Sequence, residues 1–174
     1  NNYVKRIKNG ITKMVKDIRP GINGYYPYSL FVYKNNVYFG SHDGLGLNNQ
    51  TWKSDGTEKG TIKLKNITPA EYYYISSPDV QVFCISNNKL FFTAYDYQTY
   101  GAELWETNGT AAGTKLVKDI NPYYHSYPNN LTDVSGALYF TADDGVHGFE
   151  LWTSKGTSGS TKLVKDITFD LNGS

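Results

Sequence analysis

The sequence predicts an all-β protein built from repeated four-stranded units, and three observations carry that prediction. Tryptophan recurs at Trp52, Trp105 and Trp152, roughly 50 residues apart. Similar segments surround the three tryptophans: TWKSDGTEKGT, LWETNGTAAGT and LWTSKGTSGST. Short apolar runs precede each tryptophan, and turn-forming Asn, Gly and Ser separate the runs. Such internal self-similarity indicates a repeat architecture.

Each unit divides into four strand candidates. The first is typified by residues 130–135 (LTDVS with the preceding Asn), and a tight turn at Asn35-Asn36, Asn87-Asn88 or Ser135-Gly136 follows it. The second is VYF, LFF or LYF with its neighbours, and the third carries the tryptophan. The fourth is TIKLKNI or TKLVKDI, with an earlier copy, TKMVKDI, at residues 12–18. Four short antiparallel strands in roughly 40–50 residues are typical of one blade of a β-propeller.

The second and fourth strands show how such blades would pack. The second strand is apolar at consecutive positions, as in Leu138-Tyr139-Phe140, which predicts burial of both faces. The tryptophans of the third strand are predicted to pack between blades. The fourth strand would be outermost, and we expect its recurring lysines to block edge-to-edge pairing. These lysines are Lys16, Lys65, Lys118 and Lys165.

Residues 1–174 are predicted to form a single β-propeller segment of about three and a half blades. The predicted boundaries are a half blade at 1–18, blades at 19–67, 68–120 and 121–167, and the start of the next linker at 168–174. Propellers have roughly four to eight blades. We therefore expect the remaining blades of the same parent protein to be partners of this segment.

Composition excludes several functional classes. The net charge of +1 gives no field that would attract nucleic acid or an anionic membrane. No apolar run approaches the roughly 20 residues that span a bilayer, so no membrane insertion is expected. Cys84 is the single cysteine, which excludes an internal disulfide framework and a cysteine-based zinc site.

The turn after each tryptophan strand is predicted to be structural. Its first position is Asp55, Asn108 and Lys155 in the three copies, and a lysine cannot ligate a cation. The three residue types share only a tolerance for turns, and the glycine that follows each supplies a positive φ angle.

One aspartate per unit follows the second strand, at Asp43, Asp96 and Asp144. An aspartate at a strand end often caps its own turn through its side chain. The alternative is a calcium site in these loops, which would make calcium the one cofactor to consider; no other cofactor is expected.

Tyrosines recur in the connections between units and in the loop between the second and third strands, and both kinds of loop would emerge on one face of a propeller. The candidate ligand-binding residues are Tyr25, Tyr26, Tyr28, Tyr72, Tyr73, Tyr74, Tyr97, Tyr123, Tyr124 and Tyr127. In one interpretation the rings pack between blade tops and seal the apolar interfaces. In the other they form a contact surface, since tyrosine brings area with only two torsions to freeze. A polysaccharide or another surface protein would suit such a near-neutral aromatic rim.

The segments GAELWETNGTAAGTKLVKDINP and GFELWTSKGTSGSTKLVKDI, the latter preceded by LYFTADDGVHG, resemble the bacterial ELWxxDGT repeat, a hyalin-like propeller family. The sequence departs from that pattern at Gln50-Thr51, which replaces Glu-Leu, and at the Asp of DGT. The resemblance covers nearly the whole chain. It implies an extracellular or cell-surface location, often in Bacteroidota that export through the type IX secretion machinery. The family is defined by its repeat and not by a reaction.

No asymmetric group of catalytic residues is found, because the carboxylates recur once per unit and would be spread around a ring. We therefore expect no enzymatic activity. The expected function is binding or adhesion through the tyrosine-rich face of a secreted or surface protein. The alternative is a structural spacer, or a cargo region of a large type IX-exported protein, with no ligand of its own.

Overall fold

The structure is a computed structural model that describes residues 3–8, 11–18, 27–41, 50–67, 83–96 and 99–167. Within these ranges the protein is all-β, apart from one 3-10 turn at Ser158–Ser160. The chain divides into two compact units, residues 1–81 and residues 82–174, which are described separately.

The first unit contains a hairpin and a four-stranded sheet. Strands β1 (Tyr3–Lys8) and β2 (Ile11–Asp17) form the antiparallel hairpin. Sheet A follows, with β3 (Tyr28–Tyr33), β4 (Asn36–Ser41), β5 (Gln50–Ser54) and β6 (Ile62–Lys65). Its strands are antiparallel and lie side by side in chain order.

The second unit contains two sheets of the same topology. Sheet B comprises β7 (Phe83–Ser86), β8 (Lys89–Asp96), β9 (Gly101–Thr107) and β10 (Lys115–Lys118). Sheet C comprises β11 (Asn129–Val134), β12 (Ala137–Asp143), β13 (Phe149–Ser154) and β14 (Lys162–Lys165). The predicted four antiparallel strands per repeat are confirmed, whereas radial closure of the sheets stays a prediction.

A left-handed two-residue turn joins the first and second strands of each sheet. Both central residues have positive φ, at 45° and 58° for Asn87 and Asn88 and at 52° and 83° for Ser135 and Gly136. This backbone matches the twist of the flanking strands, which is why Asn and Gly are favoured there. In sheet A the turn lies at Lys34 and Asn35, so the prediction of Asn35-Asn36 was wrong by one residue.

A bulge recurs where the third strand pairs with the fourth. One residue of the fourth strand has no partner opposite it, and the four such residues are Val15, Leu64, Val117 and Val164. A bulge of this kind increases local twist and re-aims a side chain. Its repetition in all four pairings shows that it belongs to the repeat.

A phenylalanine faces the tryptophan on the neighbouring strand of every sheet. The pairs are Phe39–Trp52, Phe92–Trp105 and Phe140–Trp152. All six side chains are buried. The indole N–H of Trp152 also donates to the carbonyl of Ala142, at 3.1 Å, and that of Trp52 to Ser41, at 3.2 Å. The predicted interior position of the tryptophans is confirmed.

The core of the second unit lies between sheets B and C. Sheet B and the residues after it contribute Phe91, Leu104, Val117 and Ile120, and sheet C contributes Leu131, Leu138, Phe140, Ala142 and Trp152. A smaller core in the first unit joins Ile18 to Phe39 and Trp52. In both units, therefore, the residue that ends the fourth-strand motif packs on the Phe–Trp pair of the next sheet.

Two of the fourth-strand lysines make a contact that the sequence did not predict. Lys118 Nζ donates to the Thr161 carbonyl of the next sheet at 3.1 Å and lies 5.6 Å from the centre of the Trp152 ring. Lys16 Nζ makes the same bond to the Thr61 carbonyl, at 2.9 Å. Lys16 and Lys118 join neighbouring elements, because their long side chains reach across the interface to the carbonyl of a buried turn threonine.

Candidate functional site

The candidate site is built around residues 121–128 (NPYYHSYP), called the tyrosine loop, which connects β10 to β11. Three of its rings face solvent: Tyr123 is 89% exposed, Tyr124 71% and Tyr127 41%. Packing therefore does not account for Tyr123 and Tyr124. In this cluster the rings form a surface.

The buried side chain of Glu103 anchors the start of the tyrosine loop. Its two carboxyl oxygens accept from the backbone N–H groups of Ile120, at 3.1 Å, and Asn121, at 3.3 Å. Gln50 occupies the same position in sheet A and accepts from the Ile67 N–H at 3.2 Å. In sheets A and B, the Glu or Gln before the Leu/Thr-Trp pair thus ties the exit of the fourth strand to the third strand.

Ser126 fixes the other half of the loop. Its hydroxyl donates to Glu103 Oε2 at 2.6 Å and also lies 3.2 Å from the carbonyl of Ala102, which accepts from the Ser126 N–H at 3.0 Å. The Ser126 carbonyl in turn accepts from the Asp143 N–H at 2.9 Å. Because these groups are tied to both β9 and β12, the loop is held in one conformation.

Burial raises the pKa of Glu103 to about 7, although the hydrogen bonds from Ser126, Ile120 and Asn121 oppose the rise. Ser126 has one hydroxyl proton and two acceptors in reach, and the contact to Glu103 Oε2, at 2.6 Å, is shorter than the contact to the Ala102 carbonyl, at 3.2 Å.

His125 lies among the loop rings and is itself anchored. The Ala102 N–H donates to His125 Nδ1 at 3.0 Å, so Nδ1 carries no proton and the neutral ring is protonated at Nε2. Burial lowers the pKa of His125, in agreement with a neutral ring. Its ring centre lies 5.0 Å from that of Tyr124 and 5.1 Å from that of Tyr127.

An open groove of about 320 Å³ runs beside these rings. Its lining contains no Asp, Glu, Lys or Arg and consists of Thr99, Tyr100, Gly101, Pro122, Tyr123, Tyr124 and His125. Tyr95 closes the ring cluster from β8, with its ring centre 5.6 Å from that of His125. Chemically, the site offers flat apolar faces edged by hydroxyl and imidazole groups.

In the described part of the chain, none of the other predicted tyrosines lies at this site. Tyr28 begins β3, and its half-buried ring occupies the space that a Cβ at Gly40 would fill. The others lie outside the described residues, namely Tyr25, Tyr26, Tyr72, Tyr73, Tyr74 and Tyr97.

The predicted aspartates occupy different settings. Asp144 Oδ1 accepts from the backbone N–H groups of Val146, at 2.9 Å, and His147, at 2.8 Å, and its Oδ2 lies 2.8 Å from His147 Nδ1. That is the geometry of a side chain capping its own turn. Asp96 ends β8, and Asp43 lies outside the described residues. No group of three or more His, Cys, Asp or Glu side chains in the described part of the chain is placed to hold a metal ion.

The turn after the tryptophan strand is structural in all three copies. In sheet A, Asp55 Oδ1 accepts from the Thr57 N–H at 2.8 Å and from its hydroxyl at 2.7 Å. Asn108 makes the same two bonds to Thr110 in sheet B, at 3.0 and 2.8 Å. The glycine that follows the first turn position has a φ of 87°, 97° and 85° in the three copies, as predicted.

The third copy forms the turn with a different acceptor. Lys155 cannot accept, and Ser160 Oγ instead accepts from the backbone N–H groups of Lys155, at 3.1 Å, and Thr157, at 3.2 Å. The residues at the position of Ser160 in the other copies are Gly60 and Gly113. A Cβ on either glycine would collide with the Asp55 or Asn108 carboxyl or amide group. The serine therefore fills the space that the lysine leaves.

Sequence reasoning missed the residues that hold the loop, above all Glu103 and Ser126. A signal was present for the first, because a Glu or Gln precedes the Leu/Thr-Trp pair in all three copies, between positions expected to be buried. A polar residue at a buried repeat position implies a fixed hydrogen-bond partner. Ser126 carried no comparable signal.

Comparisons with known proteins bear on the fold alone. No family model matches the chain, and no curated protein matches it. The chain is similar to the crystal structure of puromycin hydrolase, S511A mutant, complexed with PGG, with a TM-score of 0.56 and 12% sequence identity. The match covers 88% of this chain and 25% of that chain, so the chain spans about a quarter of that protein's length. Among the described residues, no helix has the length and apolar character needed to cross a membrane.

Proposed function

We propose that this chain is a non-enzymatic β-propeller segment that binds a neutral glycan chain through the tyrosine loop. The observation that carries the proposal is the exposure of Tyr123 and Tyr124 on a loop whose backbone is fixed by Glu103. Exposed aromatic rings on a rigid loop have little conformational entropy to lose on binding.

The propeller arrangement is supported by the meander topology and by the packing of sheet C on sheet B. Four-stranded sheets repeated in this way are the building units of propellers. The hydrolase that the chain resembles contains a propeller, which is compatible with the same arrangement here. At 12% identity that likeness carries no inference about activity.

A glycan suits the groove chemically. Sugar rings present apolar C–H faces that stack on aromatic rings and hydroxyls that bond to polar edges. Tyr100, Tyr123 and Tyr124 supply faces and hydroxyls, and the lining carries no carboxylate or ammonium group that an ionic ligand would need. Net charge of +1 likewise favours a neutral ligand.

The trio of Glu103, Ser126 and His125 does not support a catalytic function. Ser126 and Glu103 are both fully buried, so neither reaches a substrate in the groove. Their hydrogen bonds go to backbone groups of Ile120, Asn121 and Ala102 and to each other. Their function in this proposal is to fix the loop.

The proposed location is the cell surface or the extracellular space. Support comes from the resemblance to the ELWxxDGT repeat, which also suggests export through the type IX machinery and partnership with further blades of the parent protein. Protease treatment of intact cells, with loss of the protein from the cell fraction, would test the location.

An array of neutral and acidic glycans and of purified bacterial surface proteins tests the binding proposal. We expect the chain to bind neutral glycans, and Tyr123→Ala with Tyr124→Ala to remove that signal. Val134→Ala is the matched control, because Val134 is 52% exposed beside the turn between β11 and β12. Absence of binding to every glycan and protein would favour the alternative of a structural spacer. Binding to a surface protein alone would show that the ligand is a protein and not a glycan.

A further inference from the structure

A second surface, distinct from the tyrosine loop, lies on sheet C. Sheets B and C share the six-residue sequence KLVKDI, at residues 115–120 and 162–167. In the first copy Val117 is 5% exposed and Ile120 4%. In the second copy Val164 is 46% exposed and Ile167 66%. The same apolar residues are thus buried in the first copy and exposed in the second.

The structure shows what covers the first copy. Val117 and Ile120 pack against Phe140 and Trp152 of sheet C, and Lys118 donates to the carbonyl of Thr161. The covering partner is therefore a sheet of the same repeat that presents its Phe–Trp pair and the carbonyl of a turn threonine.

The first unit repeats this contact with other residues. Ile18 ends the motif TKMVKDI and packs on Phe39 and Trp52 of sheet A, and Lys16 donates to the carbonyl of Thr61. Thr61 and Thr161 occupy the same position in their repeats. Two separate instances thus define one mode of sheet-to-sheet recognition.

We define the outer face of sheet C as Tyr139, Leu151, Val164 and Ile167, with Lys165 beside them. This face carries the full set of residues for that contact. They stand at the positions of Phe91, Leu104, Val117 and Ile120, with Lys118, in sheet B. The corresponding residues of sheet A are buried as well: Tyr38, Thr51, Leu64 and Ile67.

We propose that the outer face of sheet C is a docking surface for a further four-stranded sheet of the same repeat. Ile167 and Val164 would pack on the Phe–Trp pair of that sheet, and Lys165 would donate to its turn-threonine carbonyl. A second copy of this chain does not fit, because the Phe–Trp pairs of sheets A, B and C are already buried. The inference rests on the proposed partnership with further blades, for which it names the contact surface, and is independent of what the tyrosine loop binds.

The test extends the chain by one repeat. Residues 121–167 are duplicated and inserted directly after Ile167, which reproduces the natural junction between Ile120 and Asn121. Backbone hydrogen exchange is then measured at residues 164–167 in the original and extended chains. We expect exchange there to slow at least tenfold, and the inserted copy to be as protected as the original residues 129–165.

Two variants of the extended chain complete the design. Val164→Asp with Ile167→Asp should abolish the protection of the inserted copy, whereas Val146→Asp, at a 79% exposed loop residue, should leave it unchanged. An inserted copy that exchanges as an unfolded chain, or that folds without slowing exchange at residues 164–167, would overturn the proposal. Concentration-dependent protection of the unextended chain would also overturn it, in favour of a second copy.

Discussion

The two ends of the repeat sheets differ in how far their hydrogen bonds recur from one copy to the next. At the turn between the third and fourth strands, the same hydroxyl pair recurs in every sheet, for example Thr107 with Thr114 and Ser154 with Thr161, both at 2.8 Å. At the loop between sheets B and C, the anchoring bond of Glu103 has a counterpart at Gln50 in sheet A, whereas the contacts of Ser126 and His125 are described for this loop. The first end holds the repeat together, and the second is where copy-specific chemistry lies, as is common for loops on a rigid scaffold.

The turn end stays constant even where its sequence changes. Lys155 and Ser160 replace an Asp/Asn and a glycine together, and the turn keeps its geometry because one acceptor substitutes for another. At the loop end, the buried Glu103 carboxyl group bonds to Ile120, Asn121 and Ser126 at once, so its removal affects three partners. Substitutions at the two ends should therefore differ in cost.

The largest effect is expected at Glu103, on the loop side. Glu103→Ala would leave the buried N–H groups of Ile120 and Asn121 without their acceptor, which should lower the free energy of unfolding by about 2–4 kcal/mol. Glu103→Gln should retain most of this free energy, since Gln50 performs the same function in sheet A. Urea denaturation measures both, and an equal loss in the two variants would contradict the anchoring function.

The turn end should show compensation. Lys155→Asp alone places a carboxylate where the Ser160 side chain already lies, and Ser160→Gly alone removes the acceptor; each should cost about 1–2 kcal/mol. The double variant recreates the turn of sheet A and should unfold close to the original midpoint. A double-mutant cycle in thermal unfolding tests this compensation. Additive losses would contradict the idea that the residue 155 and Ser160 side chains compete for one position.

The loop side should also respond to pH. Because burial raises the pKa of Glu103 to about 7, its contribution to stability is fully present below about 4.5 and is lost as pH rises through about 7. The difference in unfolding free energy between the original chain and Glu103→Gln should therefore change between pH 5 and pH 8. The pKa of His147 is also raised, by its hydrogen bond to Asp144. Because both proteins contain His147, its contribution cancels in this difference. Parallel pH profiles for the two proteins would contradict a buried acid that titrates in this range.

The smallest effect is expected for Asp55→Asn. Asn108 makes the same two hydrogen bonds in sheet B, so the denaturation midpoint of Asp55→Asn should equal that of the original chain. Asp55→Ala, which removes the acceptor for the Thr57 N–H and hydroxyl, should lower the denaturation midpoint. Chemical denaturation of the two variants side by side would show whether charge or hydrogen bonding matters at this turn.

The sequence was informative wherever the repeat itself supplied the answer. Four strands per unit, the buried tryptophans and the positive φ of the turn glycines all followed from comparing one copy with another. The position of the first turn at Lys34 and Asn35 did not, because three consecutive turn-tolerant residues leave the register open. The lysine contacts were missed for a related reason: repetition of Lys118 shows that the position matters, but the acceptor at Thr161 lies on the neighbouring sheet.

The candidate site was predicted only in part. The tyrosine cluster at residues 122–128 was visible as composition, and the exposure of Tyr123 and Tyr124 depends on packing that no pattern encodes. Glu103, which fixes the loop, acts on residues far along the chain, so its partners follow from the fold and not from local sequence.

The most direct measurement compares the two ends of sheets B and C in one binding titration. Tyr123→Ala with Tyr124→Ala alters the loop end, and Lys155→Ala with Lys162→Ala alters exposed residues at the turn end. Against the neutral glycan selected on the array, we predict at least a tenfold loss of affinity for the first pair and none for the second. Equal affinity for the two double variants would contradict the assignment of binding to the tyrosine loop.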